Sequence, residues 1–562
     1  MSFKKIIAIA LSLCLVLTAG CGMVDSIADG IEEGLHSIQG AVDMLSNGGF
    51  EPIDRGATSF SDMEYVHYDE ENFLALCREV EAFAEADADL SSAREKVAEL
   101  YTELCYVYTM STLAGLIYDN DPAAPGAAEE LSYSQELYYR LSDEYMYVIG
   151  AVAASPNANV LEEDFYVDTI EYLAETYGER PENYPTEDAE LYSRETELVQ
   201  EYYLLMSEEW PDEDKAVEIF IELVELRQEE AAFYGYDSYA DYVYYEYYYK
   251  DYTPMDAREL WAGVKEHFVP IMSENYSRMY DLADKISLRS HLDSSPQAIL
   301  DALDRNLPAV SEELHEAFRY MVDNELYNIS QSDTKVETGY TTRLYYYDVP
   351  YLFNCPYGDF YDYLDTIHEF GHFANCFYTW SDLVFGYPDN DLSELQSQGL
   401  EIIFTAFYED IFGQWAEEVE EYVLLDMLTS VVDGAMYDEF LQRVYAEDEL
   451  NVGKVKAIYG EIYEDYGYGP YEGYEYEWIY VPHNFEFPFY YISYAVSALS
   501  ALELHSLMQR DYDAAVEKYL NVSAMDTEAY YFSEALEEAG FSDVFDPEMY
   551  AVLAEDILRE LD

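Results

Sequence analysis

Apolar residues recur at three- and four-residue spacing along most of this chain, a pattern that predicts many helices and few strands. From about Asp69, the positions Phe73, Leu74, Cys77, Val80 and Phe83 mark a first helical face. A long helix follows over Ala93 to Ile117, ended by Asn120-Asp121-Pro122, and a third over Ala127 to Ala154, closed by Ser155-Pro156-Asn157. Further helices are predicted at about 161–177 and 188–206, and the short connections imply an antiparallel helical layer. Pro211-Asp212-Glu213-Asp214 opens the next helix, which continues through Lys215 to Phe233. Tyr239 to Tyr249 is mostly tyrosine; at helical spacing such a run more often packs and hydrogen-bonds its hydroxyls than binds a ligand. Helices are predicted over Met255 to Tyr280, from Ser295-Pro296, and over Ser311 to Asn324. Then the texture changes. Lys335 to Asn354 is rich in Thr, Tyr and Val, and predicts strands at roughly 339–343 and 345–353. Tyr361, Leu364, Ile367, Phe370 and Phe373 return to a buried helical face, followed by helices at about 391–412, 415–432, 436–446, 451–464 and 489–507. A Gly/Tyr-rich loop runs from Gly467 to Tyr474, and helices close the chain to Asp562.

A chain of 562 residues is too long for one simple core, so two or more subdomains are expected. The helical layer at 67–209 reads as an N-terminal subdomain, and 210–562 as the domain that carries the chemistry. Gly22 to about Val66 has little periodicity beyond a short amphipathic helix over Ile27 to Leu45, and reads as a tether. The formal net charge is −90, from 117 acidic against 27 basic residues; nucleic acid and anionic membrane faces repel such a field and are not expected as partners. Residues 1–21 look like an export signal. Lys4 and Lys5 precede an apolar run, Ile6 to Leu17, that is short for a spanning helix. Leu17-Thr18-Ala19-Gly20-Cys21 resembles a bacterial lipobox, in which Cys21 would carry lipid and hold the protein on the outer face of the cytoplasmic membrane. Of the remaining cysteines, Cys77 and Cys105 lie on successive helices and are placed either to pair or to stay as buried thiols. Cys-x-x-Cys is absent.

The chemistry concentrates at Asp365-Thr366-Ile367-His368-Glu369-Phe370-Gly371-His372-Phe373. On a helix, residues i and i+4 share a face, so His368 and His372 reach one ion, with Glu369 beside them to accept a proton from water. Two imidazoles beside a buried face need partners, and a metal supplies them. Three protein ligands plus one water is the layout of a catalytic zinc site, so a third ligand is required. Glu394, 22 residues beyond His372, is the candidate, and Glu401, two turns further on, is placed to orient a ligand. Asp362 and Asp365 are possible orienters on the same helix. A sheet edge beside such a helix suits pairing with an extended peptide.

His368-Glu369-Phe370-Gly371-His372 followed by Glu394 resembles peptidase family M3, the thimet oligopeptidase and oligoendopeptidase F zinc metallopeptidases. Phe220 to Ile271, Lys335 with Gly339-Tyr340 and Pro350 to Asn354, and Pro482-His483 with Pro488 to Ala495 are also similar to that family. The likeness covers roughly 210–510. It implies a mainly α fold in which two helical subdomains enclose a deep channel, with a small sheet beside the zinc helix. It implies one Zn2+ on His368, His372 and Glu394, with Glu369 as the base. His483 and a tyrosine, Tyr494 or Tyr491, would hydrogen-bond the oxyanion. The function implied is a zinc-dependent oligoendopeptidase, a monomer cleaving short unstructured peptides outside the cytoplasmic membrane. Two alternatives stand beside it: a peptide-binding lipoprotein on a peptidase scaffold that no longer cuts, and a zinc carboxypeptidase.

Overall fold

The computed structural model describes residues 59–85, 90–162, 167–180, 187–208, 210–289 and 291–561. The export signal, Cys21 and most of the tether, with its 27–45 helix, lie outside the described residues. Helices α1 (Glu71–Glu85), α2 (Leu90–Asn120), α3 (Ala127–Ala153), α4 (Val167–Tyr177) and α5 (Glu187–Met206) come first. They are followed by α6 (Glu213–Phe233), α7 (Tyr239–Tyr242), α8 (Pro254–His267), α9 (Val269–Arg289), α10 (Pro296–Val310) and α11 (Glu312–Asp323). Strands β1 (Tyr327–Asn328), β2 (Gly339–Leu344) and β3 (Val349–Asn354) interrupt the helices. Then come α12 (Tyr361–Tyr378), α13 (Asn390–Phe404), α14 (Tyr408–Phe412), α15 (Ala416–Tyr445), α16 (Val452–Asp465) and α17 (His483–Glu486). The chain ends in α18 (Ile492–Met508), α19 (Tyr512–Ser523), α20 (Phe532–Ala539) and α21 (Pro547–Leu561). The protein is mainly α with one small sheet.

The apolar faces form two cores. The smaller is built from α1 to α4, through Phe73, Val80, Leu100, Leu141, Val148 and Leu173. The larger holds the sheet, α12, α13, α15 and α18. Helix α2 belongs to both: Val97, Leu100 and Leu104 pack in the smaller core, Met110, Leu113 and Leu116 in the larger. At 1.5 Å per residue its 31 residues span about 46 Å, enough to bridge them. Helix α5 contributes Leu198, Tyr202 and Leu205 to the larger core, although the sequence pattern groups it with the N-terminal layer. The end of the segment read as a tether is also docked. Phe60 N–H donates to the Asn324 carbonyl at 2.8 Å, and Met63 is buried in the larger core.

The sheet has the order β1-β3-β2. Strand β2 pairs antiparallel with β3 from Gly339↔Asn354 to Leu344↔Val349, and β1 pairs parallel with β3 only at Leu352 and Phe353. Strand β3 is buried throughout, as its continuous apolar run requires. Pro350 is tolerated there because at that position β3 has a strand on one side only. The sequence pattern carried strand character through Tyr345 to Asp348, but these residues form the hairpin turn. Asp348 takes φ 49°, and Tyr347 N–H donates to the Leu344 carbonyl at 3.0 Å.

Where two helices were expected at 415–432 and 436–446, α15 is one helix of 30 residues. Gly434, which lies between the two expected helices, is a packing residue: a Cβ there would come within 2.5 Å of the Tyr491 carbonyl and 2.7 Å of Ala495 Cβ on α18. The expected helix over 391–412 instead ends at Phe404 and resumes as the short α14. Cys77 and Cys105 are both buried free thiols, so they do not pair. Among the described residues no helix is long and apolar enough to cross a membrane.

Candidate metal centre and active site

Helix α12 carries His368, Glu369 and His372. Asp362 anchors its start: the carboxylate accepts from the amides of Tyr357 at 2.6 Å, Gly358 at 2.9 Å and Asp359 at 3.2 Å. Asp362 therefore secures the Cys-Pro-Tyr-Gly turn and does not orient a metal ligand. Asp365, one turn before His368, is pushed up to about 8 by burial and then by facing Glu401.

Gly371 lets α13 lie close on α12. A Cβ on it would come 2.6 Å from Ser397 Cα, so any larger residue would push the helices apart. This approach brings Glu394 to the imidazoles. Its Oε2 lies 3.5 Å from His368 Nε2 and 3.8 Å from His372 Nε2, and the three ligand atoms lie within 4.8 Å of one another. A tetrahedral ion with bonds of about 2.1 Å separates its ligands by about 3.4 Å, so the donor set fits such an ion with little movement. Each imidazole is oriented by its other nitrogen. His368 Nδ1 is 2.7 Å from Glu401 Oε1, and His372 Nδ1 is 3.2 Å from Ser393 Oγ. Both Nε2 atoms thus face Glu394.

Burial and mutual contact shift the protonation of each member of this cluster. Burial works against charge on His368, yet Glu394 and Glu401 outweigh it and hold its pKa well above the imidazole range. Burial pushes His372 down to about 4, Glu394 opposing and His368 adding to the shift. Burial also opposes ionisation of Glu394, but the two imidazoles and Tyr490 hold its carboxyl down at about 2. The side chains of His368 and His372 remain 23% and 17% exposed although their surroundings desolvate them strongly. The centre is recessed but reached by water.

Glu369 is buried, and burial lifts its carboxyl to about 7. Thr341 Oγ1, on β2, lies 3.0 Å from that carboxylate and 2.8 Å from the Glu369 carbonyl. Strand β2 is at the sheet edge, so the edge and the candidate base are side by side.

The segment 483–494 reaches the centre through Tyr490. Tyr490 OH donates to Glu394 Oε1 at 2.8 Å. The His483 ring lies 5.6 Å from that of Tyr490, 5.0 Å from Tyr491 and 6.1 Å from Tyr494. Burial depresses the His483 pKa, with Glu394 opposing. Burial, then Glu394, raises the Tyr494 hydroxyl far above its usual range, with Tyr491 and Glu369 adding. The Tyr491 hydroxyl is held up to about 12 by burial and Asp433, and its ring packs against Tyr437 on α15. Of the two tyrosines named from sequence, Tyr494 packs its ring 5.3 Å from that of Tyr490, and Tyr491 packs against Tyr437 on α15. Sequence reasoning missed Tyr490, Ser393 and Thr341. The first two adjoin named residues, Tyr490 next to Tyr491 and Ser393 next to Glu394; nothing in the sequence marks Thr341.

Fold and site together define a mainly helical protein in which, among the described residues, His368, His372 and Glu394 could hold a metal ion beside a small sheet. No protein-family model and no curated protein matches the chain. Solved structures do. PZ peptidase A, solved with an inhibitor, aligns with TM-score 0.72 at 20% identity, over 89% of this chain and 98% of its own. A Bacillus anthracis protein assigned as an oligoendopeptidase F aligns with TM-score 0.70 at 18% identity, over 90% and 98%. The M32 carboxypeptidase of Deinococcus radiodurans aligns with TM-score 0.55 at 16% identity, over 82% and 99%. At these identities the likeness is one of fold.

Proposed function

We propose that this chain is a zinc-dependent oligoendopeptidase that hydrolyses short unstructured peptides. The observation that carries this reading is Glu394 Oε2 facing both Nε2 atoms, with Glu369 and a sheet edge alongside. Structural likeness to PZ peptidase A and an oligoendopeptidase F supports the substrate class. The catalytic domain would be 210–562, with 67–209 as the helical subdomain against it. The enzyme would act as a monomer outside the cytoplasmic membrane, anchored by lipid on Cys21.

His368, His372 and Glu394 would hold the ion, which when bound supplies Lewis acidity toward the attacking water and the scissile carbonyl. An extended peptide would add to the edge of β2, placing its scissile carbonyl beside the water that Glu369 deprotonates. Glu369, held by Thr341, takes the proton of the attacking water and delivers it to the leaving nitrogen. His483 and Tyr494 donate to the oxyanion, each such donor worth roughly 3 kcal/mol. Burial favours the protonated form of the tyrosine and the neutral form of the imidazole. Tyr490 holds Glu394 in place rather than reaching the substrate.

Glu369→Ala is expected to keep one zinc per chain and lose about 100-fold or more in kcat on short peptides. A variant that cleaves like the parent overturns the mechanism. Likeness to the M32 carboxypeptidase supports a second reading, removal of single C-terminal residues. Product masses separate the two: internal fragments from an endopeptidase, a ladder of single-residue losses from a carboxypeptidase. Peptide binding without turnover would instead point to a scaffold that no longer cuts.

A further inference from the structure

We infer that Lys250 is a positioning residue that sets the metal-ligand helix α13 against the tyrosine-bearing helix α18; this rests on the peptidase reading above. Its side chain is 1% exposed, as is that of Asp391, and its Nζ lies 2.6 Å from Asp391 Oδ1 and 3.0 Å from Ser493 Oγ. Asp391 stands one helical turn before Glu394 on α13. Ser493 stands at the start of α18, next to Tyr494, whose ring lies 5.3 Å from that of Tyr490, the residue that bonds Glu394. One ammonium thus joins the two helices that carry the third metal ligand and the candidate oxyanion donor.

The tyrosine-rich stretch before it builds the socket. Residues Val243–Tyr247 form a π turn, an irregularity that widens the helix and re-aims the side chains after it. Tyr249 takes φ 52°, a left-handed conformation that bulky residues rarely adopt, and Lys250 follows it into the core. The rings of Tyr252, Tyr248 and Tyr244 lie 5.3, 5.5 and 5.8 Å from the ammonium, within cation–π range. The same tyrosines grip the surroundings. Tyr248 OH donates to the Pro488 carbonyl at 3.0 Å, just before α18, and Tyr244 OH to Asp438 on α15 at 2.5 Å. A buried charge that served packing alone would be replaceable by an apolar side chain. Here the geometry it imposes falls on Glu394 and Tyr494.

The test uses the full zinc-loaded chain and short peptides. Ser493→Ala cuts only the α18 arm and is expected to lower kcat about tenfold, one charge-assisted hydrogen bond, with KM within about twofold and one zinc retained. Lys250→Met is expected to lower kcat further in the same way. Tyr494→Phe is expected to cost less in the Ser493→Ala background than in the parent, because the two changes damage one arrangement. Parental kcat in Ser493→Ala, or additive losses with Tyr494→Phe, overturns the inference while leaving the peptidase reading intact, whether or not Lys250→Met folds. A parent chain that cleaves no peptide overturns both.

Discussion

Each imidazole of the centre spends its Nδ1 on a partner of its own, Glu401 for His368 and Ser393 for His372. That leaves the two Nε2 atoms for Glu394, and it makes Glu401 a second determinant of metal binding. Glu401→Ala is expected to weaken zinc affinity about 10- to 100-fold, measured by competition with a chromophoric chelator. Unchanged affinity would mean that the hydrogen bond is incidental. At this scale the sequence was informative where spacing carries geometry. His368 and His372 follow from the i, i+4 rule, and Glu394 from the turn-and-helix distance beyond them. Tyr490 was hidden for a physical reason: among 62 tyrosines no spacing rule distinguishes the one whose hydroxyl meets a ligand. Thr341 was hidden because strand-to-helix contacts leave no local signature.

At the scale of elements, the site depends on close approach of α12 to α13. Gly371→Ala puts a methyl group 2.6 Å from Ser397 Cα and is expected to destabilise the protein by about 1–3 kcal/mol and to weaken zinc binding with it. The check is the melting temperature with and without zinc: a variant that matches the parent in both would show that the helices need not touch there. The helices of this protein were legible because their apolar faces repeat over many turns. Breaks within them were less so. Two helices were expected at 415–432 and 436–446, but α15 runs unbroken through Gly434, where α18 passes too close for a side chain. The hairpin turn at Tyr345 to Asp348 escaped because tyrosine favours strands, whereas the turn depends on a single left-handed residue, Asp348.

At the scale of the whole molecule, the charge of −90 would, on the proposed reading, steer substrates before they reach the centre. For peptides rich in Lys and Arg, kcat/KM is expected to fall as ionic strength rises from low to physiological, and for acidic peptides to rise. Equal salt dependence for both would show that the charge is only a solvated surface. The division into two cores was partly legible: the N-terminal helical layer reads from sequence, but the passage of α2 through both cores and the docking of α5 on the larger do not, since amphipathic faces do not name their partners. The proposed metal centre rests on three side chains, His368, His372 and Glu394, that could hold one ion. Its most direct measurement is the zinc content of the purified chain after dialysis, beside that of Glu394→Ala. The expected result is one zinc per parent chain and a loss of at least about 100-fold in affinity in the variant. A parent that holds no zinc, or a variant that holds it as tightly, would contradict the central claim.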